Sequence, residues 1–281
     1  MKTTPIGIFD SGYGGLTILS AIRRLMPQYD YLYLGDNARA PYGPRSFEVV
    51  YEYTRQAVET LFRQGCRLVI LACNTASAKA LRTIQQNDLG KRVATHRVLG
   101  VIRPTVEAIG SLTESGHIGL FATPGTVKSG SYHLELQKLA PHLQLTSLAC
   151  PMWVPLVEYG EAKSDGANFF VEKRVNEMLH ADPKIDTFIL GCTHYPLLLP
   201  KIRKATPSHI RIVAQGDIVA YSLQNYLHRH GDLEAACTKG GNCRYLTTEN
   251  AETFSSAARI FLNQEVTDVE KITLGVMTAH Q

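Results

Sequence analysis

The stretch Asp186-Thr187-Phe188-Ile189-Leu190-Gly191-Cys192-Thr193-His194-Tyr195-Pro196 decides how the chain is read. An apolar run of strand length, ending at a small residue and followed by a thiol, a hydroxyl and an imidazole, reads as a buried parallel strand with polar groups at its carboxyl end. The first half of the chain repeats the pattern in Arg67-Leu68-Val69-Ile70-Leu71-Ala72-Cys73-Asn74-Thr75. A second echo aligns Ile6-Gly7-Ile8-Phe9-Asp10-Ser11-Gly12 with Ile118-Gly119-Leu120-Phe121-Ala122-Thr123-Pro124-Gly125. Both pairs lie at similar offsets, which points to one duplicated α/β unit. Two similar lobes follow, each presenting one cysteine at the carboxyl end of a strand.

Working outward, strand-like segments near 6–10, 30–36, 68–72, 117–121 and 145–149 alternate with helical periodicity at 16–25, 47–64, 76–86, 131–139 and 167–179. Such alternation predicts an α/β fold of two similar doubly wound, mostly parallel sheet lobes related by pseudo-twofold duplication. The first lobe is expected over 1–97 together with 208–281, and the second over 98–207, opening with Val98–Ile102. The tail, with strands near 243–247 and 269–274, is too short for a domain of its own and is expected to return to the first lobe. Cys150 to Glu158, interrupted by Pro151 and Pro155, is expected to form a loop. Trp153 within it is open to two readings: a lobe-packing or dimer patch, or a contact that couples lobe closure to catalysis.

The 281 residues are 44% hydrophobic and 19% charged, which suits a globular protein with a real core and excludes a disordered one. A net charge of +4, with lysines and arginines scattered along helices, does not suggest nucleic acid or membrane as a partner. The start has no basic head followed by an apolar core, and no long apolar run occurs elsewhere, so a cytoplasmic protein without an N-terminal extension is expected. Six irregularly spaced cysteines do not form a disulfide framework and are expected as free thiols.

Ligands of open parallel sheets bind at the carboxyl ends of strands, which places Asp10, Asp36, Cys73, Thr123 and Cys192 at a common site. Two facing lobes put Cys73 and Cys192 on opposite walls of one cleft. That arrangement suits acid/base work on two faces of one carbon, as in racemisation, where one thiolate removes an α-proton and the opposed thiol returns one. A thiol of ordinary pKa about 8.5, lowered beside cations or helix N-termini, supplies both forms near neutral pH. Asp10 and His194 are the neighbours placed to move protons on and off the two sulfurs.

Four motifs carry a resemblance: Phe9-Asp10-Ser11-Gly12-Tyr13-Gly14-Gly15, Asp36-Asn37-Ala38-Arg39-Ala40-Pro41-Tyr42-Gly43, Ala72-Cys73-Asn74-Thr75-Ala76-Ser77 and Gly191-Cys192-Thr193-His194-Tyr195-Pro196. In this order, over nearly the whole chain, they resemble the motifs of the glutamate racemases. The resemblance implies an isomerase that needs no cofactor and interconverts L- and D-glutamate, supplying D-glutamate for bacterial peptidoglycan, cell wall and cell shape. It implies that Cys73 takes the α-proton of D-glutamate and Cys192 that of L-glutamate, assisted by Asp10 and His194. It places a further catalytic glutamate at Glu158, with Glu161 as the alternative. It also implies that Ser11, Asn74, Thr75 and Thr193 hold the amino and α-carboxylate groups, that Pro41, Tyr42 and Gly43 present backbone to the side-chain carboxylate, and that Thr123 is a further substrate contact. A homodimer is the partner left open; Arg103 receives no role.

Other readings compete. Gly12-x-Gly14 after a strand, with Asp36 ending the next, is part of a dinucleotide fingerprint, but Thr17 stands where the third glycine belongs and Asp10 would oppose a pyrophosphate. Asp36 itself reads equally as a solvated strand-end acid. Cys237 and Cys243 with His228 and His230 match no common zinc spacing, so no metal is expected. A related two-cysteine racemase acting on aspartate or a hydantoin, and a silent binding protein that keeps the fold, remain alternatives. Turnover of the two amino acids side by side separates the first, and indifference to loss of either cysteine marks the second.

Overall fold

The computed structural model describes residues 4–275; residues 1–3, on which the expectation about the chain's start partly rests, lie outside the described residues. Ten strands are present among the described residues: β1 (Ile6–Asp10), β2 (Tyr31–Gly35), β3 (Leu68–Leu71), β4 (Arg97–Gly100), β5 (His117–Ala122), β6 (Gln144–Ala149), β7 (Thr187–Gly191), β8 (Arg211–Ala214), β9 (Cys243–Thr247) and β10 (Val269–Lys271). They form two sheets, in the orders β10-β9-β2-β1-β3-β4 and β6-β5-β7-β8, with every pairing parallel. The run β2-β1-β3-β4 repeats as β6-β5-β7-β8. This is the duplication, written in strand order, and the tail strands β9 and β10 extend the first sheet beyond β2.

Two strands belong to the other sheet from the one that boundaries at 97/98 and 207/208 imply. β4, expected to open the second lobe, pairs with β3 along Leu68↔Arg97 to Leu71↔Gly100. β8, expected in the first lobe, pairs with β7 along Thr187↔Arg211 to Leu190↔Ala214. Each is the fourth strand of its unit. The helices that follow them cross over: in Ile102–Ile109, Ile102, Val106 and Ile109 pack on Ile118 and Leu120 of the second sheet. In Gly216–Arg229, Val219, Leu223 and Leu227 pack with Ile6, Ile8 and Leu19 of the first lobe. The chain thus changes lobe twice, at Val101 and at Gln215.

Side chains alternate between two buried faces of each sheet, which is why the strands read as unbroken apolar runs. Ile6, Ile8, Tyr33 and Ile70 face one core, while Phe9, Leu32, Leu34, Val69 and Leu71 face the other. In the second sheet Phe121, Phe188 and Leu190 face one side and Ile118, Leu120 and Ile189 the other. Burying each such side chain contributes roughly 1.5–3 kcal/mol. The segment expected as a proline-broken loop contains a helix, Trp153–Glu158. Pro155 sits in its first turn, where a backbone N–H has no intrahelical acceptor to lose. Trp153 is buried against Phe121 and Tyr195, inside the second lobe's core. Among the described residues no helix is long and apolar enough to cross a membrane.

Candidate active site

The carboxyl ends of β1, β3, β5 and β7 meet where the lobes face each other. Cys73 caps the Asn74–Lys79 helix, its sulfur accepting the Ala76 N–H at 3.4 Å and lying 3.3 Å from Ser11 Oγ. On the opposite side Cys192 Sγ lies 3.9 Å from His194 Nδ1, and His194 Nε2 lies 3.0 Å from Glu158 Oε1. Of the two candidate glutamates, Glu158 is therefore the one joined to the site; Glu161 is exposed in the next turn. Cys73 is close enough to act electrostatically on the Cys192 thiol.

The turn after β1 needs its glycines for close approach. A Cβ on Gly14 would stand 2.2 Å from Thr193 Oγ1 and 2.4 Å from His194 Nδ1, and one on Gly15 would stand 2.4 Å from Asp10 Cβ. Thr193 and His194 thus occupy the space against this turn that a pyrophosphate would need, which removes the dinucleotide reading. Thr17, in the third glycine's place, donates to Gly14 O at 2.9 Å and to Thr193 O at 3.0 Å, fastening one lobe to the other. Thr75 Oγ1 meets Thr123 Oγ1 at 2.9 Å across the same junction. A Cβ on Gly43 would lie 3.2 Å from Thr123 Cβ, so the Pro41–Gly43 loop also abuts the second lobe.

That loop is held by a carboxylate misjudged from sequence. Asp36 is fully buried, not solvated. It accepts from Arg39 Nε at 2.7 Å, from Thr248 Oγ1 at 2.9 Å and from the Tyr42 hydroxyl. The Tyr42 ring is thereby turned into the core, while Pro41 is exposed. Phe261, from the Ala251–Leu262 helix of the tail, packs edge-on against His194 with ring centroids 5.5 Å apart. Nothing in the sequence tied Phe261 to His194.

Burial dominates the electrostatics. Asp10 is fully buried, Cys73 and Cys192 are each 6% exposed and His194 is 5% exposed, so the cleft is closed over them. Burial pushes the Cys73 thiol up to about 11, the Asp10 charge adding to it and the Ser11 hydroxyl opposing it. Burial likewise raises Cys192 well above the ordinary thiol range, against the His194 backbone N–H. The expected lowering by a helix N-terminus is outweighed at Cys73, because desolvation of a thiolate costs more than one long N–H···S contact returns. Asp10 is raised too, by burial, with His194 opposing. Its Oδ2 accepts the Gly12 N–H at 2.9 Å, while Oδ1 finds no hydrogen-bond partner among the described residues. A buried carboxylate oxygen so left is poised for a proton or a cation. Among the described residues no three His, Cys, Asp or Glu side chains gather as a metal-holding group; His230 stacks on Tyr226 and Cys237 turns to Leu233 O.

Comparison with known proteins agrees with this geometry. The chain is 42% identical over 277 residues to a glutamate racemase of Ruegeria sp. (strain TM1040), covering 93% of this chain and 98% of that one. Among solved structures it is similar to a glutamate racemase isoform from Bacillus anthracis, at 33% identity and a TM-score of 0.88 over 98% of this chain and 99% of that one. It is also similar to the glutamate racemase of Francisella tularensis in complex with D-glutamate, at 30% identity and a TM-score of 0.84 over the same shares. Residues 16–222 match the family described as Asp/Glu/Hydantoin racemase, and the chain belongs to that family.

Proposed function

We propose that the chain interconverts L- and D-glutamate by two-base proton transfer in the cleft between its lobes, without a cofactor. The observation that carries this is the pair of buried thiols beyond the equivalent strands β3 and β7, each with its own polar attendants. Ser11 and Asp10 attend Cys73; the His194–Glu158 pair attends Cys192. With D-glutamate, Cys73 first loses its proton to solvent by way of Asp10 and, as thiolate, takes the α-proton. The electron pair left on the α-carbon then accepts the Cys192 S–H proton from the opposite face. The Cys73 thiolate has gained a proton and the Cys192 thiol has lost one, leaving the form that takes L-glutamate back along the same path; a proton passing to Cys192 through His194 and one leaving Cys73 through Asp10 restore the first form. A raised thiol pKa suits both roles: the thiolate is a stronger base, and the partner stays protonated as the acid.

Ser11, Asn74, Thr75 and Thr193 hold the amino and α-carboxylate groups, the backbone of Pro41, Tyr42 and Gly43 holds the side-chain carboxylate, and Thr123 is a further contact. Closure over the substrate expels water and strengthens each of these contacts. Glutamate is favoured over aspartate because relatives that match nearly the whole chain are glutamate racemases. With this reading go supply of D-glutamate to peptidoglycan and action in the cytoplasm. Circular dichroism with each enantiomer, without added cofactor, tests it: optical signal decays from both sides toward zero. Decay with aspartate alone reassigns the substrate, and no decay with either removes the activity.

A further inference from the structure

At the point where the chain crosses between lobes, three buried polar side chains close a ring, with a fourth branching from it. Asn74 Nδ2 donates to Gln215 Oε1 at 2.6 Å, Gln215 Nε2 donates to the Tyr132 hydroxyl at 2.8 Å, and that hydroxyl donates to Asn74 Oδ1 at 2.7 Å. The second Gln215 N–H goes to Thr105 Oγ1 at 2.7 Å, and Thr105 passes its own proton to Val101 O at 2.7 Å. Asn74 and Gln215 are each 2% exposed and Thr105 is fully buried. Gln215 Nε2 also lies 3.5 Å from Val101 O, so its amide is held from both sides of the crossing. Turning the Asn74 amide over would set its oxygen against Gln215 Oε1 and take away the acceptor of the Tyr132 hydroxyl proton, and buried polar groups left so are expensive. Gln215 precedes the helix after β8 and Val101 precedes the helix after β4, so the ring lies where the two crossovers touch.

We infer that Gln215 is a positioning residue for the reaction: through this ring it sets which atoms of Asn74, the neighbour of Cys73, are presented to the substrate. The inference rests on the glutamate reading and on Asn74 as a substrate contact. Gln215 reaches no reacting atom, and its influence passes through Asn74 and depends on the lobes being joined at Val101. An amide that binds substrate and transition state alike changes KM more than kcat.

The test is a double-mutant cycle in the intact enzyme, with KM, kcat and Tm measured for glutamate in Gln215→Leu, Asn74→Ala and the double variant. Gln215→Leu keeps the volume and removes both ends of the amide. It is expected to raise KM about tenfold with kcat within about threefold, as loss of one hydrogen bond to a charged group does. In the Asn74→Ala background the same change is expected to move KM less than about twofold, because coupled residues are not additive. Tyr132→Phe, a smaller disturbance, serves if Gln215→Leu does not fold, and is expected to raise KM severalfold. A lowered Tm with KM unmoved, or an equal rise in KM in both backgrounds, overturns the inference while the parent enzyme's turnover leaves the glutamate reading standing. A parent silent with glutamate overturns that reading, and the inference with it.

Discussion

His194 Nε2 lies 3.0 Å from Glu158 Oε1 while its Nδ1 faces the Cys192 sulfur at 3.9 Å, so one imidazole links a carboxylate to a thiol inside the closed cleft. In the proposed mechanism Glu158 holds the orientation of the ring that passes a proton to Cys192. Glu158→Gln keeps a hydrogen-bonding partner and removes the charge. It is expected to lower kcat about 10- to 100-fold with little effect on Tm. Because the two enantiomers are equal in energy, the loss in kcat/KM must be the same from either side, and polarimetric rates with both check it.

Gly14 is required by approach, not by its dihedral angles, since a Cβ there would overlap Thr193 and His194 across the lobe junction. Gly14→Ala therefore forces the lobes apart or displaces the imidazole. A displacement on the order of 1 Å at the chemistry costs about 10²-fold, while neither lobe's own core is touched. Activity is expected to fall by that order with Tm within a few degrees, read by racemase assay and calorimetry. A near-normal rate would show that the junction is not closed as described.

How much of this was legible in the sequence differs from residue to residue. Cys73 and Cys192 were, because a buried parallel strand delivers whatever follows it to the sheet's carboxyl edge, and the two strands announce themselves locally. The sheet to which β4 and β8 belong was not: Val98-Leu99-Gly100 and Ile212-Val213-Ala214 look alike in either sheet, and pairing is decided by partners distant in the chain. Asp36 and the thiol pKa values were misjudged for one reason. Burial that arises only when loops and lobes close over a group leaves no trace in its neighbours along the chain. The Gln215 ring was silent likewise, since it draws on three separated segments.

Asp10 makes the site costly to the fold. Its carboxyl is raised by burial, so between its unfolded value of 3.8 and its higher folded value the native state binds more protons than the unfolded chain. Stability from this group is therefore greatest at low pH and falls as pH rises through that window. Asp10→Asn removes the titration. The variant is expected to melt higher than the parent at neutral pH, with the gap narrowing toward pH 4, while racemisation falls at least ~10²-fold. A gap in Tm that does not change with pH would contradict this.

The thiols set the pH dependence of the rate. With Cys73 at about 11 and Cys192 raised in the same sense, the thiolate fraction grows up to tenfold per pH unit throughout the neutral range. Accordingly kcat/KM is expected to climb from pH 6.5 to 8.5 without a plateau, in both directions. A plateau reached by pH 7 would mean a base far less shielded than these two.

The claim that two opposed thiols share the reaction is tested most directly by the origin of the α-hydrogen. Protonated glutamate of one hand is turned over in deuterated water for a few per cent of conversion, and both enantiomers are separated and weighed by mass spectrometry. Two single-proton bases on opposite faces predict product that carries deuterium in every molecule, and recovered substrate that carries none. Product retaining the substrate's own hydrogen would mean that one base swings between faces, and Cys73 and Cys192 could not then hold the roles assigned to them.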